Sequence, residues 1–173
     1  LNIFAHNNRV TASIETLQQV MQYTPDAVIM SDPGLIMLAR QEFPDLEIHL
    51  STQSNTMNWA AVQFWKAQGI QRVILPRELS IPEIQEIHER VLDIDLEVFA
   101  HGAMCVAYSG RCLLSGYLTH RDANLGICTN SCRWQYRLWG KSFDDGERRH
   151  LVGTEDIPEE AWWRRHPDGT EYA

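Results

Sequence analysis

The chain has 173 residues, 44% of them hydrophobic and 22% charged, with a formal net charge of −8. That is enough chain for one domain with its own core, and the acidic total gives no overall pull toward nucleic acid. No apolar run reaches the roughly 18 residues that would read as a membrane span, which with the lack of a signal peptide points to the cytoplasm and no membrane partner.

The start, Leu1-Asn2-Ile3-Phe4-Ala5-His6, lacks an initiator Met and opens on apolar residues. It reads as a chain cut inside a strand of a longer protein, with Ile3-Phe4 as the remnant and a helix near 13–23. Ala27-Val28-Ile29-Met30 is a short β-branched strand, and Asp32 and Pro33 suit the cap and first turn of a helix over 33–42. Leu35, Ile36, Leu38 and Ala39 form its apolar face. A strand at 47–51 precedes a helix at 58–68 that Gly69 ends. Residues 72–75 form the third strand. Ser80-Ile81-Pro82-Glu83 is a capping box for a helix running to about Val91, with Ile84, Ile87 and Val91 on one side. Glu97-Val98-Phe99-Ala100 is the fourth strand.

These strands alternate with helices at a spacing of about 20–25 residues, the βα repeat of a parallel sheet with right-handed crossovers. There is no G-x-G-x-x-G after a strand, which removes the dinucleotide fold. The expected class is α/β: a partial TIM-like (β/α) barrel over 1–100, since a full barrel takes about 250 residues. Such a partial barrel leaves open sheet edges, to be closed by missing strands or a partner. From 101 to 139 the chain is rich in Gly, Cys, Arg and Asn, a structured cysteine-rich segment. The charged tail from 140 to 173, with Trp162-Trp163-Arg164-Arg165, has no assignable fold.

Cys105, Cys112, Cys128 and Cys132 are spaced C-x6-C-x15-C-x3-C, directly after the fourth strand. Thiolates are soft ligands for iron–sulfur clusters and for zinc. Structural zinc sites have tight x2–4 spacing in both pairs, and the first pair here is wider, so iron–sulfur is the leading reading, zinc its main rival, and disulfides or buried free thiols the remaining one. Cys128 and Cys132 would lie one turn apart if 129–133 is helical.

In a parallel barrel the reactive groups stand just past the strand C-termini. Here those are Ser31-Asp32, 51–55, Arg77-Glu78 and His101. His101 is a candidate proton shuttle; Arg77 and Arg111 are candidates to clasp a carboxylate; Glu78 is a candidate base. Gln53 and Asn55 could hydrogen-bond a flat ligand. Each has a plainer reading as an ion-paired, capping or loop-bonding residue. Arg111, Arg121, Arg133 and Arg137, interleaved with Tyr117, Trp134 and Tyr136, make a local basic and aromatic patch for RNA or, equally, a small core over the cysteines. No H-E-x-x-H, G-x-S-x-G or Ser–His–Asp order supports a peptidase.

The run 97–105, then Tyr108-Ser109-Gly110-Arg111-Cys112-Leu113-Leu114-Ser115, resembles the signature of the collagenase-like peptidase family, U-thirty-two. Residues 26–34, 48–53, Asn55, Trp59, 77–80 and 121–134 also fit, so the resemblance covers about 1–136. Within the family it is most similar to the branch that converts the tRNA wobble uridine to 5-hydroxyuridine. That resemblance implies a TIM-like barrel, a 4Fe–4S cluster on cysteines matching these four, tRNA as substrate and prephenate, a dicarboxylate, as co-substrate. It also implies barrel strands and a C-terminal domain beyond this chain. Other members carry a peptidase name, which makes proteolysis the alternative function; a non-catalytic cluster-bearing scaffold is the third.

Overall fold

In the computed structural model, residues 1–134 are described. The expected tail at 140–173, and Tyr136 and Arg137, lie outside the described residues. The chain divides into two compact units, Leu1–Arg111 and Cys112–Ala173.

In the first unit the elements run α1 (Asn7–Met21), β1 (Val28–Met30), α2 (Pro33–Glu42), β2 (Ile48–Leu50), α3 (Trp59–Ala67), β3 (Arg72–Ile74), α4 (Ile81–Arg90) and β4 (Asp95–Glu97). The helix boundaries follow local chemistry. The Asp32 carboxylate accepts the Leu35 N–H at 2.9 Å and starts α2; the Asn58 side chain accepts the Ala61 N–H at 2.9 Å and starts α3. Gly69, at φ +79°, ends α3 in the left-handed conformation that glycine adopts without strain. At α4 the Glu83 carboxylate reaches back to the Ser80 N–H at 2.7 Å and its hydroxyl at 2.6 Å.

The four strands form a parallel sheet in the order β1-β2-β3-β4, with a helix in each connection. Register places Met30, Leu50, Val73 and Leu96 in one row and Ile29, His49, Arg72 and Asp95 in the next. Alternation along the strands puts these rows on opposite faces. The first row joins Leu35, Ile36, Ala39, Val62, Ile87 and Val91 in a single core. All the helices thus cover one face, as right-handed crossovers between successive neighbouring strands require. A fully buried side chain such as Leu50 contributes about 1.5–3 kcal/mol to that packing. The other face carries charged pairs beside Ile29 and the buried Ile74: Arg72 bridges Asp95 at 2.9 Å and Glu97 at 3.8 Å, and His49 pairs with Glu47 at 2.8 Å.

Three expected elements of the first unit differ. The fourth strand lies at 95–97 rather than 97–100, because Asp95 is in register with Arg72 and the ladder ends where Leu75 N–H meets the Glu97 carbonyl at 2.8 Å. Val98 and Phe99 stand beyond it, exposed. Ile3-Phe4 forms no strand, although Leu1 and Ala5 pack on the core. Helix α1 begins at Asn7, not near 13: Val10 seats on the core, and Ser13 and Thr16 return their hydroxyls to the Arg9 and Ala12 carbonyls.

In the second unit α5 (Leu114–Thr119) is followed by short 3-10 turns at Ala123–Leu125 and Ser131–Arg133. Hydroxyls join its pieces. The buried Ser115 Oγ donates to the Arg121 carbonyl at 2.6 Å and accepts the Thr129 N–H at 3.1 Å, while Thr129 and Ser131 hydroxyls lie 2.8 Å apart. Asn124 Nδ2 donates to the Cys112 carbonyl at 3.3 Å. Of the segment 129–133 only Ser131–Arg133 is helical, so the condition that would set Cys128 and Cys132 one turn apart is not met. Asn130 is left-handed at φ 55°, so Cys128 stands outside the turn that carries Cys132.

Candidate functional site

The loops that follow the strands of the first unit carry most of the expected polar groups. After β2 the chain makes a 3-10 turn, Thr52–Ser54, held by Ser51 Oγ accepting the Gln53 N–H at 3.2 Å. Asn55 closes it at φ 57°, and its Oδ1 is buried with no hydrogen-bond partner. After β4 the chain returns to make the turn Tyr108–Gly110 beside it.

Arg111 leaves that turn and points its Nη1 at the Gln53 carbonyl, 3.4 Å away, with the Phe4 ring centroid 5.6 Å from its guanidinium carbon. Phe4, His6, Ser31, Asp32, Gln53 and Arg111 line a cavity of about 170 Å³. That is smaller than the roughly 300–1,000 Å³ of a drug-sized site and suits a small anion or one end of a larger ligand. Asp32 already spends a carboxylate oxygen on the α2 cap, and among the described residues no carboxylate lies within ion-pairing reach of Arg111. The site therefore presents a planar cation with unused donors, the group best shaped for a carboxylate.

The remaining candidates have other partners. Arg77 lies over the Phe99 ring, 3.7 Å from the centroid, and reaches the Ala103 carbonyl at 3.5 Å. Glu78 does not pair with it; its Oε1 accepts the Ser109 N–H at 2.7 Å. His101 is exposed on a bend. His6 and Phe4 are the pocket residues the sequence reading did not single out. Their signal was positional: His6 is the N-cap of α1, in the loop ahead of a helix, where the rim groups of such folds gather.

All four cysteines are free thiols; Cys105, Cys128 and Cys132 are exposed and Cys112 half-buried. The Asn130 N–H donates to Cys128 Sγ at 3.3 Å, the type of hydrogen bond that thiolate ligands accept. Among the described residues no group of three or more His, Cys, Asp or Glu side chains is gathered to hold a metal ion. The thiols suit a soft metal centre by donor chemistry alone. Among the described residues no helix is long and apolar enough to cross a membrane.

Comparison with known proteins adds a second line. The chain is 59% identical over 145 residues to tRNA hydroxylation protein P of Haemophilus influenzae, covering 84% of this chain and 32% of that protein. It is 55% identical over 159 residues to tRNA hydroxylation protein P of Escherichia coli, covering 91% and 35%. A third relative, 34% identical over 160 residues, is the 23S rRNA 5-hydroxycytidine C2501 synthase of Escherichia coli, covering 90% and 23%. The chain thus spans about a third of the length of the tRNA hydroxylation proteins it matches. No solved structure matches it. With residues 1–161 matching the model of Peptidase family U32, this chain belongs to that family.

Proposed function

We propose that this chain is the part of an RNA-hydroxylating enzyme that holds a carboxylate co-substrate, in a protein that makes 5-hydroxyuridine at the tRNA wobble position. The observation that carries the reading is Arg111, a guanidinium without an ion-pair partner among the described residues, at a small pocket on the rim of the sheet. The names of the relatives at 59% and 55% identity support RNA as the substrate class. In this reading Arg111 binds a carboxylate of prephenate or a similar small dicarboxylate. Gln53 fixes the guanidinium through its carbonyl, Phe4 backs its face, and His6 stands where it can donate to the same anion. Asn55, with its buried unpaired Oδ1, and the exposed His101 are the groups left to meet the base or move a proton.

Cys105, Cys112, Cys128 and Cys132 are the proposed ligands of a 4Fe–4S cluster, with zinc as the alternative. When bound, such a cluster supplies one-electron redox chemistry. The sequential parallel order of the sheet, with its helices on one face, supports a TIM-like barrel completed by strands outside this chain.

Mass analysis of tRNA nucleosides from a deletion strain tests the function. 5-Hydroxyuridine should vanish, return with the full-length gene and return only in part with Arg111→Ala; an unchanged level in the deletion removes the reading. Hydrolysis of gelatin that survives Cys→Ala at all four positions would favour the peptidase instead.

A further inference from the structure

The turn that delivers Arg111 is conformationally costly. Ser109 sits at φ 49°, ψ 29°, in the left-handed region that residues with a side chain rarely adopt, and Gly110 follows at φ 71°. The Tyr108 carbonyl accepts the Arg111 N–H at 3.0 Å, so two consecutive left-handed residues make a tight turn, and Arg111 is the first residue out of it. The Ser109 side chain gains no hydrogen bond from this conformation. It is buried, at 2% exposure, and its hydroxyl is buried with no partner. The Ser109 N–H, however, meets the Glu78 carboxylate at 2.7 Å across 31 residues of chain. A carboxylate accepting a backbone N–H makes a strong, charge-assisted bond.

We propose that Glu78 is a positioning residue: its carboxylate holds the turn at Ser109 in the left-handed form, and so presents Arg111 to the pocket. The proposal rests on the dicarboxylate reading above for its consequence in function, but not for the turn itself. Glu78 has its carboxylate oxygen committed to an amide, which is a poor arrangement for a base and a good one for a brace. Gln at this position keeps an oxygen acceptor, whereas Ala removes it. Gly at position 109 takes the left-handed form without strain and needs no brace.

The experiment uses the full-length protein and the variants Glu78→Gln, Glu78→Ala, Ser109→Gly and the pair Glu78→Ala with Ser109→Gly. Hydrogen exchange of peptides spanning 104–113 should speed up in Glu78→Ala, stay near wild type in Glu78→Gln, and leave peptides from β1 to β3 unchanged. With prephenate as the probe, Glu78→Ala should raise its KM about tenfold, the worth of one such bond, while kcat and the KM for tRNA hold. The added Ser109→Gly should recover most of that loss. Equal damage from Glu78→Gln and Glu78→Ala would overturn the proposal in favour of proton transfer, and unchanged exchange at 104–113 in Glu78→Ala would overturn it outright. Should Glu78→Ala fail to fold, Glu78→Gln and Ser109→Gly decide: loss of activity in Glu78→Gln with normal exchange refutes the brace. Variants that show the exchange pattern, together with a wild type that binds no prephenate, refute the dicarboxylate reading and leave the brace standing.

Discussion

Arg77 stacks its guanidinium over the ring of Phe99 at 3.7 Å and reaches on to the Ala103 carbonyl. One side chain from the loop after β3 thereby holds the start of the segment that runs from β4 toward Cys105. An exposed arginine–aromatic pair is worth about 0.5–1 kcal/mol. Arg77→Ala should therefore lower the melting temperature by about 1–4 °C for a chain of this size and speed hydrogen exchange over 99–104. Lysine at the same place should recover less than half of the effect, since it lacks the planar group. An unaltered exchange rate over 99–104 would show that the contact does not hold the segment.

Arg111 is exposed and contributes a cation rather than packing to the pocket. Removing it should leave stability within about 0.5 kcal/mol. A hydrogen bond to a charged group is worth about 1.5–3 kcal/mol, so Arg111→Ala should weaken dicarboxylate binding by about 10- to 100-fold. Arg111→Lys keeps charge but not the fork and should fall between. Titration calorimetry on the full-length protein checks both, and equal binding by all three forms would reassign the pocket.

The four thiols make a separate claim. Cys→Ser at 105, 112, 128 or 132 in the full-length protein, purified without oxygen, should each lower iron and acid-labile sulfide together and bleach the visible absorption. Wild type that is colourless and carries zinc would replace the cluster with a zinc site.

The order of the elements was legible because the signals are local. Asp32-Pro33, Asn58, Gly69 and Ser80-Ile81-Pro82-Glu83 mark helix ends through bonds within a few residues, and α2 runs over the expected 33–42. Strand bounds were less legible, since β4 is placed by its register with Arg72 and not by its own apolar residues. The turn at Ser131–Arg133 does not reach back to 129 for a related reason: the Ser115 hydroxyl, 14 residues away, fixes Thr129, and no periodicity in the sequence reports that bond. At the site, Gln53 could be chosen by its position past a strand and Arg111 by residue type. The partner of Glu78 could not, because it is a backbone amide 31 residues on, and any residue at 109 would have offered one.

The start of α4 gives a pH test that is independent of function. The Glu83 carboxyl titrates below its ordinary value of 4.5, first because the Ser80 hydroxyl donates to it and then because the Ser80 N–H does, with a small opposing cost from burial. A carboxyl whose pKa is lower in the folded chain than in the unfolded one stabilises the fold above its unfolded pKa. That contribution disappears as pH falls through the folded value. Glu83→Gln keeps the shape of the side chain but carries no charge at any pH. Denaturant unfolding of the two forms between about pH 3 and pH 7 should show wild type ahead near neutrality and the gap closing below about pH 4.5. Ser80→Ala, which removes the larger of the two causes, should shrink the gap at neutral pH while leaving the low-pH values together. A gap that stayed constant with pH would mean that Glu83 acts through packing and not through its charge.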